Sequence, residues 1–190
     1  MMANNNIKHK CLKKQKGNSL IEYGFYLALV GAALAVLVGL NTGTKTSASK
    51  QQEITDISQL TENVRNYFST KGIYTGLANT VIIEGNLAPR SMLLGYTGPG
   101  TGTLVNTTRQ AVTVAPATID GINELGFTIT GQLDMENCAG VVSNVQDQYA
   151  IINVGGTDVK TLNGSLDMPG LTTACNGGAN GLVPFVYTSY

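Results

Sequence analysis

A chain of 190 residues with only 13% charged side chains is long enough for one modest globular domain plus an appended segment. Twelve Lys and Arg balance twelve Asp and Glu, yet five of the basic residues (Lys8, Lys10, Lys13, Lys14, Lys16) precede Gly17 and every acid follows it, so the chain beyond Gly17 is net acidic. With Arg90, Arg109 and Lys160 scattered after Lys71, no basic patch remains to displace phosphate counterions, so no nucleic-acid binding is expected, and no cofactor motif stands in the chain.

The lysine-rich leader opens onto an apolar stretch. From Tyr23 to Leu40 no residue is charged, and after Glu22 the next charge is Lys45. About 20 residues at roughly 1.5 Å each cross a bilayer's hydrocarbon, so this stretch is of membrane length. Lysines on its N-terminal side keep the leader cytoplasmic and send the rest of the chain outward. A secretory signal would end in an A-x-A-like site, and none follows Leu40. A lipoprotein signal would need a Cys after the run, whereas Cys11 precedes it. A plain signal anchor accounts for lysines and length but not for Glu22, a carboxylate within a membrane-length segment that costs a few kcal/mol or more without a partner.

The run Lys13-Lys14-Gln15-Lys16-Gly17-Asn18-Ser19-Leu20-Ile21-Glu22 resembles the prepilin processing site of type IV pilins. The resemblance implies that a prepilin peptidase/methyltransferase cuts after Gly17 and methylates the new N-terminus at Asn18, and that Glu22 guides assembly. Asn18 stands where the family usually begins with an aromatic or apolar residue. The physical logic is that the Asn18 amine and the Glu22 carboxylate of a neighbouring subunit neutralise each other in a low-dielectric bundle and select a stagger. The alternative is that Glu22 snorkels to the headgroups from its place near the helix start.

Gly24, Ala28 and Ala32 are spaced by four, as are Gly31, Ala35 and Gly39, giving two small-residue ridges on which helices approach closely. Gly39 and Gly43 fall where many type IV pilins carry a helix-loosening proline. After Lys45 the pattern turns amphipathic: Ile54, Ile57, Leu60 or Thr61, Val64 and Phe68 recur at three- and four-residue steps, with Glu53, Asp56, Glu62 and Arg65 between them. The spacing predicts one helix from about Ser19 to Ser69, stopped at Lys71-Gly72. Its first half serves membrane and filament core, and its second half lays one stripe on a globular head.

Residues Thr70 to Arg109 carry little regular pattern, with Gly98-Pro99-Gly100-Thr101-Gly102 at their centre, and read as a long exposed connection. Strands are expected at Thr80 to Ile83, Ala111 to Val114, Phe127 to Thr130, Tyr149 to Val154, Val159 to Leu162 and Val183 to Tyr187, with Gly155-Gly156-Thr157-Asp158 turning a hairpin.

Two cysteines, Cys138 and Cys175, lie beyond the leader in a segment expected to be exported, where disulfides persist. A bridge between them stabilises by about 3 to 4 kcal/mol in the chain-entropy model. The rival is a metal site, which two isolated thiols without His disfavour. The same layout resembles the C-terminal disulfide-bounded region of type IV pilins, which carries variable surface and subunit contacts.

The chain's one His, His9, is in the leader, which removes imidazole from any triad, Cys-His pair or metal set, and no enzyme is expected. Asp134 and Glu136 read as a solvated turn before Cys138 rather than an acid/base pair. The glycine cluster at 98 to 102 lacks the Lys-Ser/Thr of a phosphate loop. Asn106-Thr107-Thr108 and Asn163-Gly164-Ser165 match the glycosylation triplet, a pattern that arises often by chance.

The expected architecture is α+β: a type IV pilin ladle with a long N-terminal helix on an antiparallel β-sheet and a C-terminal disulfide-bounded region. Its parts are a cleaved cytoplasmic leader at 1–17, a membrane and filament-core helix at 18–44, the amphipathic half of that helix at 45–70 and a head at 71–190. The resemblance implies a structural subunit of a type IV pilus. The widely spaced cysteines and the non-aromatic first residue are similar to the type IVb subclass, found in enteric adhesion pili and conjugative thin pili. Its partners would be copies of itself, the prepilin peptidase, the pilus assembly machinery and, before assembly, the inner membrane; after assembly it would form an extracellular filament. Two other classes fit parts of the pattern: a pseudopilin of a secretion system, and a signal-anchored periplasmic binding or envelope protein that never polymerises.

Overall fold

The computed structural model describes residues 47–190. Helix α1 covers 47–68 of them. Its apolar stripe is buried as the three- and four-residue spacing predicts, with Ile57, Leu60 and Val64 fully inaccessible and Phe68 nearly so. The helix ends at Phe68, whose carbonyl accepts from the N–H groups of Lys71 (2.9 Å) and Gly72 (3.3 Å). Gly72 sits at φ +69°, a conformation that a side chain at this stop would resist. Among the described residues no helix is long and apolar enough to cross a membrane.

Residues 70–109 are not the exposed connection their composition suggests. They hold helix α2 (Asn79–Glu84), a 3-10 turn (Arg90–Met92) and a two-stranded ribbon of β1 (Leu93–Leu94) and β2 (Thr103–Leu104). Leu77, Ile82, Leu87, Met92, Leu93 and Leu104 are all buried. The tip around Gly98-Gly102 is held by Thr101, whose Oγ1 accepts from the backbone N–H groups of Thr97 and Gly98. The strand expected at Thr80 to Ile83 is helix α2. Its β-branched residues favour a strand locally, but the Asn79 side chain bonds the main chain at Val112 and Val114, more than 30 residues on, and the helix buries Ile82.

The main sheet is antiparallel, in the order β3-β4-β7-β5-β6. Strand β3 (Thr113–Ile119) turns through Asp120-Gly121, both at positive φ, into the long β4 (Ile122–Asp134). Helix α3 (Met135–Val145) follows, then a 3-10 turn (Gln146–Gln148) and the hairpin of β5 (Ile151–Val154) and β6 (Thr157–Lys160). The hairpin stands where the sequence places it, but its turn is Gly155-Gly156 alone, at φ +59° and +82°, because Thr157 and Asp158, expected in the turn, already pair within β6. After α4 (Met168–Asn176), the last strand β7 (Leu182–Ser189) enters the middle of the sheet, pairing with β4 on one side and β5 on the other.

Alternate residues of the central strands, Phe127, Ile129 and Leu133 with Val183, Phe185 and Tyr187, join the α1 stripe and Cys138, Val141, Val142 and Val145 of α3 in one core. Gly131 belongs to the inward row without filling it. A Cβ there would stand 2.9 Å from Cζ of Phe185, so this glycine makes room for the ring.

Candidate functional site

The residues expected to carry processing and polymerisation, Gly17, Asn18, Glu22, Gly24, Ala28, Gly31, Ala32, Ala35 and Gly39, lie outside the described residues. Of the expected site, the structure places the cysteine pair. Cys138 in α3 and Cys175 in α4 form a disulfide with Cα atoms 5.7 Å apart, and it closes a separation of 37 residues. Both are buried. Between them run the 3-10 turn, the β5–β6 hairpin and the approach to α4, so the bridge ties a flank of the head whose inner boundary is β7.

Asp134 and Glu136 are not in a turn. Asp134 ends β4 and precedes the first residue of α3, and Glu136 stands in that helix's first turn, where the N-terminal end of the helix dipole favours negative charge. The helix is visible in retrospect: Cys138, Val141, Val142 and Val145 are buried at helical spacing. An open cleft of about 530 Å³ lies beside it, lined by Asp134, Met135, Glu136, Asn180 and Gly181. Asn106 of the first glycosylation triplet is buried. Its Oδ1 accepts from Thr108 N–H (3.1 Å), Thr108 Oγ1 (2.9 Å) and Gln110 N–H (2.8 Å), and its Nδ2 donates to the Gln132 carbonyl, so this asparagine holds a turn.

Two polar features of α1 were not legible as such. Arg65 faces the end of the sheet. Its Nη2 donates to Ser189 Oγ (2.6 Å) and to the Gln148 carbonyl, its Nε donates to Ser189 Oγ and the Tyr190 carbonyl (both 3.1 Å), and its Nη1 reaches Glu62 at 3.4 Å. One turn earlier, Thr61 Oγ1 lies 2.6 Å from the Tyr149 hydroxyl, and burial pushes that phenol up out of its ordinary range. Beside Arg65 a cleft of about 340 Å³ is lined by Lys160, Leu162, Asn163 and Tyr190, but both cations are engaged: Lys160 Nζ donates to the carbonyls of Gln146 (2.7 Å) and Tyr149 (2.8 Å). The second feature is acidic. Glu53 and Asp56, which the periodicity assigns between the apolar positions, are each only 3% exposed.

A long helix laid on an antiparallel sheet, with the last strand threaded through the centre and a disulfide-stapled flank, is the fold of the type IV pilins. The described part matches the crystal structure of a type IV b pilin from Salmonella typhi, with a TM-score of 0.56 at 20% identity, covering 73% of this chain and 97% of that one. It also matches the crystal structure of TcpA, a type IV pilin from the Vibrio cholerae El Tor biotype, with a TM-score of 0.53 at 14% identity, covering 75% of this chain and 99% of that one. No curated protein matches the chain. The model of the PilS N-terminal family matches residues 47–188, and the chain belongs to that family. The resemblance to type IVb pilins read from the leader and the cysteine pair is thereby borne out at the level of family and fold.

Proposed function

We propose that this chain is the structural subunit of a type IVb-like pilus. It is made as a membrane-held prepilin with a leader at 1–17 and polymerised with copies of itself into a surface filament serving adhesion, aggregation or conjugative contact. The observation that carries the reading is a family match over residues 47–188 standing behind a Gly17-Asn18 junction with Glu22 in an apolar run. In this reading the prepilin peptidase cuts at Gly17 and methylates Asn18. The ridges of Gly24, Ala28 and Ala32 and of Gly31, Ala35 and Gly39 let neighbouring helices close in the filament core. The Glu22 carboxylate pairs with the Asn18 amine of the next subunit, an arrangement whose value lies in register, since burying the pair gains little net stability.

The test is mass spectrometry of subunits sheared from the cell surface, together with the variant Glu22→Gln. Fibres whose subunits begin at N-methylated Asn18 are expected. The variant leaves a processed, membrane-held subunit with fibre yield lowered about tenfold or more, because removing one partner of a buried pair costs a few kcal/mol. An uncut membrane protein, or normal fibre yield from the variant, would overturn the reading.

A further inference from the structure

Glu53 is a buried carboxyl with one oxygen satisfied and one left bare. Its Oε2 accepts two hydrogen bonds from Thr107, from the backbone N–H at 2.9 Å and from Oγ1 at 2.6 Å. Its Oε1 is buried and has no hydrogen-bond partner. The same is true of the Tyr187 hydroxyl on β7. A carboxylate in this place would have an uncompensated lone-pair-rich oxygen in the interior, which is the costly arrangement for an anion.

The charges around it make matters worse. Asp56, one turn further along α1, is equally buried and is held by Gln52 Nε2 (2.8 Å) and Ser91 Oγ (2.6 Å); Asp134 at the end of β4 adds a second negative charge. Among the described residues no cation pairs with it; the ion pair found there is Arg65 with Glu62. Lys50, one turn before Glu53, lies instead along α3, its Nζ 3.1 Å from where a Cβ on Gly140 would stand. Burial is the main cause that raises the Glu53 carboxyl above its ordinary 4.5, with Asp56 and Asp134 adding to it and the two Thr107 hydrogen bonds opposing. Tyr187 is pushed well above its usual range, by burial first and by Tyr149 and Glu53 after it, and so stays a neutral phenol.

We propose that Glu53 and Thr107 form a proton-operated latch that fastens the loop between β2 and β3 to α1, closed when the carboxyl carries its proton and loosened when it ionises. Ionisation by itself strengthens the two Thr107 bonds, but it places an anion with a bare Oε1 in the interior, a cost relieved when the side chain turns out to solvent. The protonated acid keeps Oε2 as the carbonyl-like acceptor for Thr107 and carries no charge. The latch is well placed to matter: Thr107 also meets Ser49 (3.5 Å), and Asn106 beside it ties the same loop to the Gln132 carbonyl of β4, so one loop joins the first described turns of α1 to the sheet. Because the closed state holds a proton that the open, solvated side chain has lost, closure is fully favoured below about 4.5 and weakens as pH rises through the raised value.

Hydrogen exchange measured by mass spectrometry on the full chain in detergent, between pH 4 and pH 8, tests this. Protection factors for the segment containing Thr107, corrected for intrinsic exchange, are expected to fall as pH rises above the ordinary Glu range, with a limiting slope of about tenfold per pH unit for one proton. Glu53→Gln, a neutral isostere that keeps the acceptor for Thr107, is expected to hold high protection across the whole range. A wild-type profile without this fall, or the same fall in Glu53→Gln, overturns the latch. Should the variant not fold, infrared titration of the wild type decides: a protonated carboxyl band persisting above the ordinary carboxylate range supports it, and complete loss of that band within the range overturns it.

Discussion

Arg65 joins three parts of the chain through one guanidinium, bonding residues 83 and 124 positions away in sequence. A lysine ammonium is a point donor on a flexible stem and cannot present the planar fork that meets Ser189, Gln148 and Tyr190 together. Arg65→Lys is therefore expected to destabilise the head by about 1.5 to 3 kcal/mol, the range for hydrogen bonds to charged groups, seen as a lower urea midpoint with an unchanged slope. An unchanged midpoint would remove Arg65 from the stabilising contacts. In the sequence, Arg65 and Glu53 look alike, each a charge between apolar helical positions. Nothing local separates them, because the partner that draws Glu53 inward is Thr107, 54 residues on.

At the scale of elements, both edge strands of the sheet carry groups that interrupt an open ladder. At the start of β3, Asn79 Nδ2 donates to the carbonyl of Val112, just before the strand, and Asn79 Oδ1 accepts from Val114 N–H (both 2.8 Å), and further along Pro116 has no N–H to offer. On the other edge, the Val159 carbonyl of β6 accepts from Asp167 N–H at 2.8 Å. Open edges template pairing with other chains, a hazard for a domain held close to its own copies. Asn79→Ala combined with Pro116→Thr is expected to produce thioflavin-binding, edge-paired aggregates at concentrations where the parent protein gives none; their absence would mean that some other feature guards the edge. The elements were unevenly legible. The amphipathic stripe of α1 and the Gly155-Gly156 hairpin follow from periodicity and turn chemistry, whereas the segment of α2 carries a strand-like pattern, because its β-branched residues favour extended backbone until Asn79 anchors it. Helices α3 (11 residues) and α4 (9 residues) are short and give too little periodic pattern to stand out between the expected strands.

At the scale of the molecule, the disulfide closes a flank that the sheet also holds, since β5 is zipped along β7 and β7 along β4. The double variant Cys138→Ser/Cys175→Ser is accordingly expected to lose about 3 to 4 kcal/mol, the chain-entropy value for a loop of this length, while keeping its sheet content by circular dichroism. An unchanged thermal midpoint under non-reducing conditions would mean that the bridge constrains little in the unfolded chain. The sequence by itself determined the division of this protein: where charge stops and membrane-length apolarity begins, which face of α1 turns inward, and which two cysteines are available to pair. Those are properties of composition, period and count, all carried locally along the chain. Only the tertiary structure decided that the final strand enters the centre of the sheet, that residues 70–109 are folded into the core, and that Glu53 is buried with a bare oxygen. Each depends on partners tens of residues apart, and no local propensity encodes which distant donor a side chain will meet once the core has closed.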